Sequence, residues 1–162
     1  MLQTAFARLA IRNGDNGKGE YELERIVALK GAPLEAFTSL GELLLGQGRV
    51  AEARQWLKRA LTERPDNPLV QSLIARTYIK SGPFYNADFG VQLATLACKN
   101  SGWVSPREMH VLAEAYLHTG DKMSALLIAS RAKEVGSRVL GSYRDVKILD
   151  RMIQDLSAGS QA

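Results

Sequence analysis

Four glycines, Gly14, Gly48, Gly82 and Gly120, recur along the chain at spacings of 34, 34 and 38 residues. No other feature restricts the fold as much. Self-similarity at a period of about 20 to 50 residues marks a stacked-repeat architecture, in which each unit buries its apolar face only against its neighbours. Aligned on the glycines, further columns fall into register. A small-residue column reads Ala7, Gly41, Ala75 and Ala113, beside a large apolar column of Phe6, Leu40, Ile74 and Leu112. Another reads Ala10, Leu44, Tyr78 and Tyr116. After the glycines come Gly19, Ala53, Ala87 and Ala125, and then Ile26, Ala60, Ala94 and Ala132.

Each unit contains two amphipathic stretches with a glycine between them. In the second unit Phe37, Leu40, Gly41 and Leu44 follow the i, i+3, i+4, i+7 spacing of a helix face, and Val50, Ala53, Leu57 and Ala60 resume it. The glycine supplies the positive φ that ends a helix. The small columns let two helices approach closely. Asn67-Pro68 and Ser105-Pro106 each place an N-cap before a first-turn proline, and Ser105 with Glu108 reads as a capping box. Pro83 is expected in the first turn of the helix that follows.

The spacing predicts helices over about 2–13, 17–29, 34–46, 50–64, 68–81, 84–99, 106–118 and 122–135. A ninth, over about 141–156, carries one apolar stripe and reads as the cap of the last repeat. The expected class is all-α, with a single repeat domain over 1–157. Its repeats fall at about 1–33 (degenerate), 34–67, 68–105 (with an inserted loop) and 106–138, and 158–162 form a frayed tail.

Composition sets the outer limits. The 162 residues are 46% hydrophobic and 23% charged, which excludes a disordered chain. One cysteine excludes a disulfide framework. Cys98 sits among alanines and reads as a buried thiol. No apolar run approaches the roughly 20 residues of a membrane span. The N-terminus has no signal sequence, which points to the cytoplasm, or to the periplasm if the chain is a mature form or fragment. The net charge of +4 is spread along the chain without a basic block.

These columns resemble the tetratricopeptide repeat family. The closest unit runs from Leu34 to Asn67, with Leu40-Gly41, Leu44, Gly48, Ala53, Ala60 and Pro65 at the family's spacing. Units from Pro68 and Pro106 match with Ala75, Tyr78 and Gly82, and with Ala113, Tyr116 and Gly120. The resemblance implies a right-handed superhelix of helical hairpins whose first helices line a concave groove. It also implies a non-enzymatic module that binds a peptide or protein segment there.

Helical periodicity then selects the residues of each first helix that face away from the packed side. They are Arg8, Arg12, Thr38, Glu42, Leu45, Ser72, Arg76, Ile79, Lys80, His110, Glu114, Leu117 and His118. One column within them, Arg8, Glu42, Arg76 and Glu114, alternates in sign. It reads equally as a track for a segment of mixed charge or as a ladder of ion pairs. Trp103, in the long connection 100–104, reads as an exposed loop anchor. No Asn lies on these faces, which argues against a carboxylate clamp for chaperone tails.

No catalytic constellation, metal site or cofactor motif is found. His110 and His118, eight residues apart, lie too far along one helix to share an ion, and both read as exposed. Asn13-Gly14-Asp15-Asn16-Gly17-Lys18-Gly19 joins two helices and lacks the phosphate-loop pattern. The expected role is an adaptor or assembly scaffold for a protein partner, of the kind used in bacterial secretion and assembly systems. The alternative is self-assembly through an uncapped first repeat. RNA binding is disfavoured because Glu42 and Glu114 would repel phosphate.

Overall fold

The protein is represented by a computed structural model, in which residues 2–138 and 143–159 are described. The helices are α1 (Leu2–Arg12), α2 (Asn16–Val27), α3 (Leu34–Gly46), α4 (Val50–Glu63), α5 (Pro68–Ile79), α6 (Ala87–Asn100), α7 (Pro106–Thr119), α8 (Lys122–Arg138) and α9 (Val146–Gly159). No strand occurs among the described residues. The chain falls into two compact units, Met1–Pro65 and Asp66–Ala162.

In the first unit α1 packs on α2, α2 on α3 and α3 on α4. Its core is built from Ala7, Leu23, Val27, Phe37, Leu40, Leu44, Leu57 and Ala60, all essentially without solvent exposure. Each such Leu or Phe stabilises the fold by about 1.5–3 kcal/mol relative to an exposed one. Gly41 shows why the column is small: a Cβ there would lie 2.5 Å from Leu57 Cδ2. Gly19 is under the same constraint, with Ile11 Cγ1 and the Ala7 carbonyl occupying the space that a Cβ would need.

In the second unit α5 packs on both α6 and α7, α7 on α8, and α8 on α9. Ala75, Ala94, Cys98, Met109, Leu112, Ala113, Ala129, Ala132 and Leu149 form one buried cluster. Lys133 Nζ reaches Asp150 Oδ1 at 2.6 Å and ties α8 to α9.

The hairpins share one main-chain rule. The N–H of the residue before each second helix donates to a carbonyl in the first helix: Asp15 to Ala10, Arg49 to Leu44, Asn86 to Tyr78 and Asp121 to Tyr116, at 2.8–3.0 Å. The acceptors are the Ala10, Leu44, Tyr78, Tyr116 column. Asp15, Asn86 and Asp121 then cap with their side chains, each accepting from the N–H three residues on. Such a cap contributes about 1 kcal/mol. Gly14, Gly48, Gly82 and Gly120 all have positive φ.

The third hairpin departs from the expected register. Its second helix begins at Ala87, not at 84, and Pro83 lies in the connection. The residue that approaches the facing helix is therefore Gly90, not Ala87: a Cβ on Gly90 would meet Ile79 Cγ2 at 2.6 Å. Gly90 N–H donates to Asn86 O just as Gly19, Ala53 and Ala125 donate to Asp15, Arg49 and Asp121. Spacing counted from Gly82 misses this three-residue slip.

Two further expectations change. Ser105 makes no side-chain cap, so the capping box does not form, and Glu108 is buried. The last helix starts at Val146, with Tyr143 and Arg144 outside it, and Ser157, Ala158 and Gly159 continue it. The rest of the predicted start and tail, 141–142 and 160–162, lies outside the described residues.

Candidate functional site

The first helices place the predicted residues unevenly. In the first unit Arg8 and Arg12 are exposed and Glu42 is half-buried. Thr38 and Leu45, expected to face outward, are buried. The reason is that α3 is covered by both α2 and α4 and is apolar around most of its circumference, so little of it reaches solvent. Thr38 Oγ1 satisfies itself by donating to the Glu35 carbonyl.

In the second unit Lys80, Leu117 and His118 are exposed, and Arg76 and Glu114 are half-buried. Ser72, Ile79 and His110 are buried, against the expectation of an outward face. Helix α5 is flanked by α6 and α7, which leaves it a narrower open strip than a two-helix hairpin would. Ser72 Oγ donates to the Leu69 carbonyl at 2.9 Å.

Arg76 and Glu114, adjacent members of the alternating column, touch: Arg76 Nε donates to Glu114 Oε2 at 3.0 Å. Glu114 Oε1 lies 3.6 Å from His110 Nε2, and His110 Nδ1 lies 2.9 Å from the Tyr143 hydroxyl. One polar chain thus joins α5, α7 and the segment before α9. Burial pulls the His110 pKa below its ordinary value, although Glu114 pulls the other way. Burial likewise pushes the Tyr143 phenol up, so it remains protonated. Tyr143 was not legible as a partner, because it lies 33 residues from His110 in an irregular segment.

Trp103 is not the exposed anchor that its loop position suggested. It is half-buried on the core of the second unit, at a φ of 58°, with the Arg131 guanidinium 5.2 Å from its ring. His118 lies apart from His110, with its ring 6.1 Å from that of Tyr85. Cys98 is buried, and burial pushes its thiol up to about 12.

A second polar cluster stands on the first unit. Arg49 grips Glu52 with two hydrogen bonds, Nε to Oε1 at 2.8 Å and Nη2 to Oε2 at 2.6 Å. It also pairs with Glu20. The Arg49 hydrogen bonds hold the Glu52 carboxyl below the usual range. Among the described residues no three His, Cys, Asp or Glu side chains group as metal ligands. No helix there is long and apolar enough to cross a membrane.

The sequence of residues 4–68 matches the family described as tetratricopeptide repeat. A comparison with curated proteins gives no match. Among solved structures, a thermophilic tetratricopeptide repeat protein of Thermus thermophilus is similar at a TM-score of 0.79 and 12% identity, covering 98% of this chain and 81% of that one. MamA of Desulfovibrio magneticus RS-1, from residue 41 to its end, gives 0.65 and 12%, covering 99% and 88%. SycD, the type III secretion translocator chaperone of Yersinia enterocolitica, gives 0.65 and 14%, covering 80% and 95%. At these identities the likeness is one of fold. Residues 4–68 thus match the tetratricopeptide repeat family in sequence, and the described chain has the fold of tetratricopeptide repeat proteins.

Proposed function

We propose that this protein is a non-enzymatic interaction module that holds a peptide or protein segment on the open faces of its first helices, as an adaptor or assembly scaffold. One observation carries the reading. On the second unit the half-exposed Arg76–Glu114 pair bridges α5 and α7, with exposed Lys80 just past the end of α5 and exposed Leu117 and His118 on α7. That strip offers both charges and an apolar contact to an extended or helical segment, and it leaves backbone recognition to polar side chains. The buried residues of the same helices, Ser72, Ile79 and His110, set its rigidity and make no contact with a ligand in this reading. In the first unit Arg8, Arg12 and Glu42 play the corresponding part. The likeness to a type III secretion translocator chaperone supports an assembly or secretion setting.

The test is affinity capture from the source cell extract with mass read-out. Wild type is set beside Lys80→Glu and beside the swap Arg76→Glu/Glu114→Arg, which keeps an ion pair and reverses its direction. Equal helicity of all three proteins is checked first. A specific protein captured by wild type and lost by both variants supports the reading. A partner captured equally by all three overturns it.

A further inference from the structure

The strip on α5 and α7 does not end at α7. Leu117, 37% exposed, also lines a hollow of about 440 Å³ formed by the end of α7, the start of α8 and α9. Ile148 and Met152 of α9 supply its other apolar wall. Ile148 is 50% exposed although its neighbour Leu149 is fully buried. Helix α9 therefore spends one side on the core and turns a second apolar side to the hollow. The turn that follows Lys80 is fastened to the same end of α7, because the Tyr85 hydroxyl donates to the His118 carbonyl at 3.2 Å.

Charge along this path is one-sided. Lys122 and Arg151 line the hollow against a single carboxylate, Asp155, and none of the three enters an ion pair among the described residues. The other carboxylates close to the path are already engaged. Asp121 accepts from the Ser124 N–H at 3.0 Å and lines a separate cleft beside α6. Asp150 is held by Lys133, and Glu114 by Arg76. Lys80 is exposed and likewise outside any ion pair among the described residues. Lys80, Lys122 and Arg151 are thus left with Asp155 alone to balance them.

We infer that the segment held by the strip is acidic and seats a large apolar side chain in this hollow. This rests on the strip being the binding face, and adds the partner's charge and its point of anchorage. A Leu, Phe or Met of the partner fills the space between Leu117, Ile148 and Met152, and carboxylates on either side of it meet Lys122, Arg151 and Lys80. A basic segment would set like charges against these three cations, which costs affinity. A wholly apolar segment would cover Lys122 and Arg151 without pairing them, and an unpaired covered charge is expensive. An acidic segment without an apolar residue would leave the hollow to water and forgo the anchor that contributes most at such contacts.

The experiment is a fluorescence anisotropy titration of the full chain against three short labelled, acetylated peptides. One is made of Leu, Phe, Asp and Glu. The second carries Lys in place of its acids, and the third carries Ser in place of its Leu and Phe. Wild type is expected to bind the first in preference to the other two, and less tightly as salt is raised. The variant Lys122→Glu/Arg151→Glu reverses two exposed charges and should bind the first peptide about tenfold more weakly or worse. Circular dichroism checks its helicity, and Arg151→Glu alone replaces it if helicity is lost. A wild type that binds none of the three overturns the inference, as does one that holds the Lys or Ser peptide as tightly as the first. Equal binding of the first peptide by wild type and the double variant overturns it too. Sedimentation provides a further arm: a wild type whose self-association is abolished by Lys122→Glu/Arg151→Glu would give the hollow to a second copy, against the inference. An extract protein that Lys80→Glu loses and Lys122→Glu/Arg151→Glu still captures overturns the acidic anchor while leaving the strip as the binding face.

Discussion

The Tyr143 hydroxyl lies 2.9 Å from His110 Nδ1, and this contact fastens the segment entering α9 to the middle of α7. His110 is 1% exposed, and burial depresses its pKa below the ordinary 6.5; Arg76 adds to that, while Glu114 and Asp145 oppose it. The unfolded chain therefore takes up a proton at a pH where the folded protein does not. Stability from this group is complete above 6.5 and is lost as pH falls below it towards the lower folded value. The Tm of wild type should drop on acidification more steeply than that of His110→Gln, with a limit of about 1.4 kcal/mol per pH unit for one proton. Thermal unfolding followed by circular dichroism at a series of pH values checks this, and parallel curves for the two proteins remove His110 as the cause.

Gly41 and Leu57 should behave as one unit. A methyl group at Gly41 overlaps Leu57, whose side chain is fully enclosed, so Gly41→Ala should destabilise by about 1–3 kcal/mol. Leu57→Ala should cost about 2–5 kcal/mol by leaving a cavity. In the double variant the new methyl fills part of that cavity, and the total should fall short of the sum. Urea unfolding of the four proteins gives the coupling, and strict additivity would show that α3 and α4 readjust independently.

The Arg76–Glu114 pair should add little stability. Its side chains are 23% and 29% exposed, so a double-mutant cycle to alanine should return no more than about 1 kcal/mol, reduced further by salt. A larger, salt-insensitive coupling would mean that the pair serves the core rather than the surface.

Cys98 should resist thiol reagents in the native protein. It is 0% exposed, with its thiol pushed up to about 12, so modification at neutral pH has to wait for α6 to open. Labelling should be complete within mixing time in denaturant and slower by orders of magnitude without it. Rapid native labelling would place α6 among the loosely held helices.

The hairpin plan was legible because it is written in local periodicity. Gly14, Gly48 and Gly120 mark turns that occur where their spacing put them, and Ala7, Gly41, Ala75 and Ala113 are all buried. The slip at Gly90 was not legible, since only the approach to Ile79 distinguishes it from Ala87. Burial was misjudged for the same reason at Thr38, Leu45, Ser72, Ile79 and His110. A helix wheel shows which residues share a face, but it does not show how many neighbours that helix touches. The Tyr143–His110 contact lies beyond any local pattern, because it joins an irregular segment to a helix 33 residues earlier.

The slip in the third hairpin also marks where the chain accepts cargo of its own. The turn from Lys80 to Asn86 is longer than its counterparts, yet Asn86 still reaches the Tyr78 carbonyl at 2.8 Å and the second helix still starts from a side-chain cap. Closure of the hairpin is decided at those two anchor points, and between them Tyr85 is held as well, its hydroxyl donating to the His118 carbonyl at 3.2 Å. Because lengthening a loop costs only a fraction of a kcal/mol, an epitope tag or a fluorophore-bearing cysteine spliced between Ser81 and Gly82, ahead of the turn that holds Tyr85, should be carried without disturbing either helix. That junction is the natural grip by which to immobilise this protein, at a point outside its helices.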